Sequence, residues 1–207
     1  MRPGAAYIPG VPVEAPPEPE IRPARTPDVP AMAEIIRDSA ELGLMLPKSH
    51  ANLYEKLRAF VVAEDPQSGE VVGVCGLSII WADLGEVVSL AVSPAARGRG
   101  LGKRLVEAVL ADADRLGIRR VMSLTYEQRF FERLGFAVVD RQKLPMKVWA
   151  ECVACPKKNA CDEIAMIRIN PDLPPAPAPP AGVGSLNVTA PVVTTRLTRD
   201  GSVMVGG

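Results

Sequence analysis

The chain has 207 residues, with 24 Lys plus Arg balanced by 24 Asp plus Glu, and this zero net charge excludes the basic surface of a general polyanion binder such as a nucleic-acid protein. No apolar run approaches the roughly 18 to 20 residues of a membrane-spanning helix, and the start, Met-Arg-Pro-Gly-Ala-Ala-Tyr, lacks the apolar stretch and cleavage site of a secretory signal. Four cysteines, three of them crowded between Cys152 and Cys161, do not make a secreted disulfide scaffold, so the expectation is a cytoplasmic protein with no membrane or nucleic-acid partner.

Proline marks the edges: of 21 prolines, nine fall in residues 1–30 and seven in 171–191. Residues 1–20 and 171–207 are Pro, Ala, Gly, Val and Thr rich, and ordering them costs more conformational entropy than their burial returns, so both are expected to be disordered tails. Between them, 21–170 alternates strand and helix signals as one α/β unit. Ile21–Arg25 reads as a short strand, and Thr26-Pro27 starts a helix with Met32, Ile35, Ile36 and Ala40 at helical spacing. Ser49 caps a second helix carrying Leu53 and Leu57. Phe60–Glu64 and Val71–Trp81 form a hairpin around Asp65–Gly69, and Glu86–Val92 is the next strand. Lys103–Leu116 is an amphipathic helix closed by Gly117, and Arg120–Leu124 is a strand. A short helix through Phe130, Phe131 and Leu134 stops at Gly135, and strands near Phe136–Val139 and Glu163–Ile169 end the unit, with a cysteine-containing insertion over 141–162.

The chemistry begins at the turn Arg97-Gly98-Arg99-Gly100-Leu101-Gly102-Lys103, between an apolar strand and an amphipathic helix. Glycines without Cβ let several backbone N–H groups converge on an anion, and the helix N-terminus adds about half a positive charge. The turn is not a P-loop, because Arg104 follows Gly102-Lys103 where Ser or Thr is needed, and Gly98-x-Gly100-x-Gly102 is not the dinucleotide fingerprint. Arg97-x-x-Gly100-x-Gly102 does resemble the pyrophosphate-binding motif of the GNAT N-acetyltransferase superfamily. Leu90-Ala91-Val92 before it and Phe131-Glu132-Arg133-Leu134-Gly135-Phe136 after it extend the resemblance. The implied fold is a mixed, mostly antiparallel central sheet with flanking helices.

The resemblance implies acetyl-CoA as donor, with its pyrophosphate on Arg97, Gly98, Arg99, Gly100, Leu101, Gly102 and Lys103 and its pantetheine arm beside Leu90, Ala91 and Val92. Direct attack of an amine on the thioester needs a base for the ammonium, a donor for the oxyanion and an exit for the thiolate. Glu86, where related strands begin with the general base, is the candidate base, and a backbone N–H near Leu90 or Ala91 is the oxyanion donor. Many relatives place a tyrosine acid where Phe131 stands here, so Tyr126 is the nearest replacement.

Arg22, Arg25, the segment Gly43–Ser49, the Glu86 strand and Leu124-Thr125-Tyr126 together resemble the short, acetyltransferase-only form of bacterial N-acetylglutamate synthases, which open arginine biosynthesis. L-Glutamate is the acceptor this implies. Its carboxylates call for paired cations, assigned to Arg25 and Lys48 with Arg22 next and Ser49 assisting. The arginine and serine of the long forms after the Leu124 strand are replaced by Glu127, Gln128 and Arg129. Cys152, Cys155 and Cys161 offer three of the four ligands a zinc needs, so structural zinc, completed by a subunit neighbour in a homo-oligomer, and a redox or packing role stand as equal alternatives. Acetylation of another amine (a polyamine, an antibiotic, a protein N-terminus) and a non-catalytic acetyl-CoA-binding module are the competing functional readings.

Overall fold

The computed structural model describes residues 17–140, 144 and 162–175, with the backbone of 195–197 and 203–205. Strand Phe60–Glu64 (β2) shows how the layers arise. Its alternation sends Phe60 and Val62 to one core and Val61 and Ala63 to the other, so the sheet must be covered on both faces. Strand Val71–Trp81 (β3) continues this, with Val74 facing the first core and Cys75 and Leu77 the second. Gly76 admits the Phe60 ring, since a Cβ there would stand 2.8 Å from Phe60 Cε1.

Helix Val29–Glu41 (α1) packs Met32, Ile35 and Ile36 on the first face, joined by Leu53 of helix His50–Glu55 (α2). Helix Leu101–Arg115 (α3) covers the second face with Leu105, Val106, Val109, Leu110 and Ala113. The remaining elements are strands Glu20–Pro23 (β1), Leu84–Val92 (β4), Arg120–Thr125 (β5), Ala137–Val138 (β6) and Ile164–Ile169 (β7), and helix Gln128–Glu132 (α4). The sheet order is β1-β2-β3-β4-β5-β7-β6, and every neighbouring pair is antiparallel except β4 and β5. This is the mixed, mostly antiparallel α/β architecture that the resemblance implies. Leu144, from the insertion, closes a third small core with Ile80, Leu84, Met122 and Ala165.

One local reading changes. The chain after β1 first makes a 3-10 turn, Thr26–Asp28, before α1 begins at Val29. Within the expected disordered C-terminal tail, Thr195–Leu197 (β8) and Val203–Val205 (β9) pair antiparallel as a separate two-stranded sheet. Among the described residues no helix is long and apolar enough to cross a membrane.

The turn before α1 is fixed by charge. Arg22 on β1 donates to both Asp28 oxygens at 2.7 and 2.9 Å and to Glu64 on β2, with its Nε 2.7 Å from Glu64 Oε2. Asp28 also accepts the Arg25 backbone N–H at 2.6 Å. The hydrogen bond from Arg22, reinforced by that N–H, holds the Asp28 carboxyl below its ordinary value of 3.8 against the opposing effect of burial. A carboxyl depressed in the native state stabilises the fold fully above its unfolded value and loses that contribution as the pH falls through the native one. Stability to urea should therefore drop as the pH is taken below 3.8. Asp28→Asn should flatten that drop and cost about 2 kcal/mol at neutral pH, less than stranding a buried charge outright because Glu64 still holds Arg22. An unchanged pH profile in Asp28→Asn would contradict this assignment.

Candidate functional site

Strands β4 and β5 pair over three positions only, Leu84↔Arg120, Gly85↔Val121 and Glu86↔Met122. Beyond them β4 runs on to Val92 and β5 to Thr125, and a cleft of about 1010 Å³ opens between the two. A bulge sits in the same stretch of β4. Between the pairs Val74↔Ala91 and Gly76↔Val88, β3 advances two residues and β4 three, and Ser89 takes φ 53°, the one non-glycine positive φ among the described residues. The extra residue drops out of the ladder and re-aims the strand at the cleft, which Ser89 and Leu90 line.

The cleft reaches both faces of the sheet. Glu86 lies opposite Ser78 and Met122, on the α1 side with Val88, which packs over Gly76. Val87 and Ser123 alternate to the α3 side, where Val87 shares a core with Phe131. On that side the cleft meets the turn into α3. Gly98 and Gly100 have φ 77° and 75°, and Gly100 is the N-cap residue. No side chain caps α3 and no acidic residue stands in its first turn, so its leading N–H groups face the cleft side with the positive end of the helix dipole. Gly102 lies under the Phe130 ring, a Cβ there being 3.7 Å from it. Arg97 fixes the turn by donating to Val92 O at 3.0 Å. This arrangement can hold a phosphate or diphosphate.

The cleft lining includes Glu86, Leu90, Ala91, Val92, Arg97, Gly98, Gly100, Leu101, Gly102 and Lys103 from the donor-side expectation. Arg99 is exposed and outside it. Arg104 turns away, donating to Pro19 O at 2.9 Å and pairing with Glu18 at 3.0 Å. Lys48 and Tyr126 line the acceptor side beside Leu44, Met45 and Leu46. The Tyr126 hydroxyl donates to Asp162 at 2.7 Å.

Three expected acceptor residues lie elsewhere. Arg22 is committed to Asp28 and Glu64, Arg25 is exposed at the 3-10 turn, and Ser49 caps α2 by accepting the Asn52 N–H at 3.2 Å. None of the three lines the cleft. Sequence spacing placed them near the acceptor segment but could not show that one partner, Asp28, draws Arg22 inward. Cys152, Cys155 and Cys161 lie outside the described residues, among which no cluster of His, Cys, Asp and Glu could hold a metal. Cys75 is a core residue, as expected, and burial pushes its thiol up to about 12. The sequence reading missed Ser123, Arg133 and Glu163 as cleft residues. Only strand alternation past Met122 signals Ser123, while Arg133, within the Phe131–Phe136 motif, and Glu163 have no site role in the sequence reading.

Comparison with known proteins follows the same lines. The acetyltransferase (GNAT) family model matches residues 29–136. An uncharacterized N-acetyltransferase of Chlorobaculum tepidum is 38% identical over 148 residues, 72% of this chain and 94% of that protein. An amino-acid acetyltransferase of Mycobacterium tuberculosis is 40% identical over 134 residues, 64% of this chain and 76% of that one. The N-acetylglutamate synthase of Neisseria gonorrhoeae, solved with coenzyme A and N-acetyl-glutamate, superposes with a TM-score of 0.66 at 29% identity, over 73% of this chain and 35% of its own.

Proposed function

The chain belongs to the GNAT acetyltransferase family and is an acyltransferase, and from that premise we propose that it transfers the acetyl group of acetyl-CoA to the α-amino group of L-glutamate. One observation carries the reading: a single cleft runs through the sheet, from an anion cradle at α3 on one face to Glu86 and Lys48 on the other. The amino-acid acetyltransferase of M. tuberculosis and the N. gonorrhoeae synthase support the choice of acceptor, which would make this chain an N-acetylglutamate synthase serving arginine biosynthesis.

In this reading the donor diphosphate rests on the backbone of 98–103, with Arg97 fixing the turn and Lys103 adding charge. The pantetheine arm lies along Leu90–Val92, where β4 has left β5. The acetyl group then reaches the point where the strands part, and the amine arrives from the α1 side. Glu86 takes the ammonium proton, directly or through one water, the C–N bond forms as the C–S bond breaks, and CoA leaves as a thiolate. A backbone N–H near Leu90 or Ala91 stabilises the oxyanion. Lys48 pairs with an acceptor carboxylate.

One observation favours a second reading, acetylation of a more cationic amine: Glu127 and Glu163 line the cleft while Arg22 and Arg25 do not. Assay of CoA release against the twenty amino acids and spermidine separates the two. Glutamate should be turned over fastest, and Lys48→Ala should raise its KM roughly tenfold, the scale of one charge-assisted contact, with the acetyl-CoA KM unmoved. Faster turnover of spermidine, or equal turnover of glutamate and leucine, would overturn the choice of acceptor.

Replacing Glu86 by Gln should lower kcat by roughly 10² to 10⁴, the range for loss of a general base, with partial recovery as rising pH deprotonates the amine in solution. A Glu86→Gln rate within a few fold of the parent at neutral pH would assign the proton to another group.

A further inference from the structure

The departing thiolate is the charge for which the site has no assigned partner. On the α3 face, where the donor arm lies, the wall of the cleft includes Phe130, Phe131 and Leu134. The Phe130 and Phe131 rings meet edge to face at 5.1 Å, as do Phe131 and Phe136, so the wall is a packed aromatic surface without a hydroxyl. The Tyr126 hydroxyl donates its hydrogen bond to Asp162. A sulfur anion forming against this wall loses water and finds no donor in the aromatic rings.

We propose that the Ser123 hydroxyl is the hydrogen-bond donor that receives the CoA thiolate. Resting on the acetyl-CoA reading above, the assignment adds a catalytic residue to it. Ser123 is the first β5 residue beyond the last β4 pair, Glu86↔Met122, so it stands where the strands part. It alternates with Met122, opposite Met166 of the α3-side core, which puts it on the donor face while Glu86 lies on the acceptor face. Only 2% of the residue is exposed, yet it lines the cleft.

Position along β5 separates Ser123 from its neighbour. Thr125, the other β5 hydroxyl on this face, accepts the Glu127 N–H at 2.9 Å and stands two residues farther along the strand, roughly 6 to 7 Å. A buried hydroxyl in a cleft gains most by donating to a charge that appears there. No proton is transferred from Ser123. The amine's proton goes to Glu86, the C–S electron pair stays on sulfur, and the thiolate picks up its proton from solvent after release.

The test uses the full chain and CoA alone, so it does not depend on the acceptor. Calorimetric titration of the parent with CoA comes first, and failure to bind would remove the donor reading and this assignment together. The thiol of bound CoA is then titrated by ultraviolet absorbance in the parent, Ser123→Ala and Ser123→Thr. Ser123→Ala should move that titration to higher pH by about one unit, lower kcat roughly tenfold or more, and leave the acetyl-CoA KM within twofold. Ser123→Thr, which keeps the hydroxyl, should restore the titration. If the parent binds CoA and Ser123→Ala leaves the thiol titration unmoved, the assignment is wrong, whether kcat stays constant or falls through altered packing.

Discussion

Three parallel pairs hold Leu84–Glu86 to Arg120–Met122, and the candidate site lies where that pairing ends. Parallel neighbours cannot be joined by a tight turn, so the chain must cross over between them, and here the crossover is α3. That requirement brings the N-terminus of α3 to the end of β4, beside the gap that β4 and β5 leave as they diverge. The anion cradle and the opening through the sheet are thus two consequences of one connection. Backbone groups released from the β4–β5 ladder need partners, and an amide-bearing pantetheine arm is a ligand that can supply them.

The two cores keep this gap from closing. On one face Leu105, Val106 and Val109 seat α3 against β2 and β3, while on the other Met32 and Ile36 seat α1 against Val62 and Val74. Both helices contact β3 and β4, so the half of the sheet carrying the bulge at Ser89 is held from above and below. Beyond the gap, Met122 of β5 and Ala165 of β7 form a small core with Ile80 of β3 and Leu84 of β4. Val121 and Met166 join the α3-side core as well, so packing on both faces bridges the two halves of the sheet around the cleft. The Arg22–Asp28–Glu64 network plays a different part, closing the outer edge of the sheet and setting the angle at which the chain enters α1.

Much of this was legible because it is periodic. The apolar alternation of Phe60–Glu64 and Val71–Trp81 gives β2 and β3 with their observed bounds, and the i, i+4 pattern from Leu105 to Ala113 gives α3. Glycines at 98 and 100 marked the donor turn, since both adopt positive φ. What stayed hidden depends on which partner a side chain finds. Arg22 and Arg25 look alike as strand-end cations, but Asp28, six residues from one and three from the other, takes both Arg22 nitrogens and the Arg25 backbone N–H, and the Arg25 side chain is left outside the cleft. Ser123 sits in an apolar run that reads simply as a buried strand, and the site emerges only once β4 is seen to part from β5 just before it.

Whether the donor threads the gap between β4 and β5 would be seen directly in a crystal structure of the full chain with CoA. The diphosphate is expected on the backbone of 98–103, the pantetheine arm along Leu90–Val92, and the sulfur at the parting of the strands, with Glu86 on one side of the sheet and Ser123 on the other. CoA bound with its sulfur away from that parting, or with β4 and β5 zipped together past Glu86 and Met122, would contradict it.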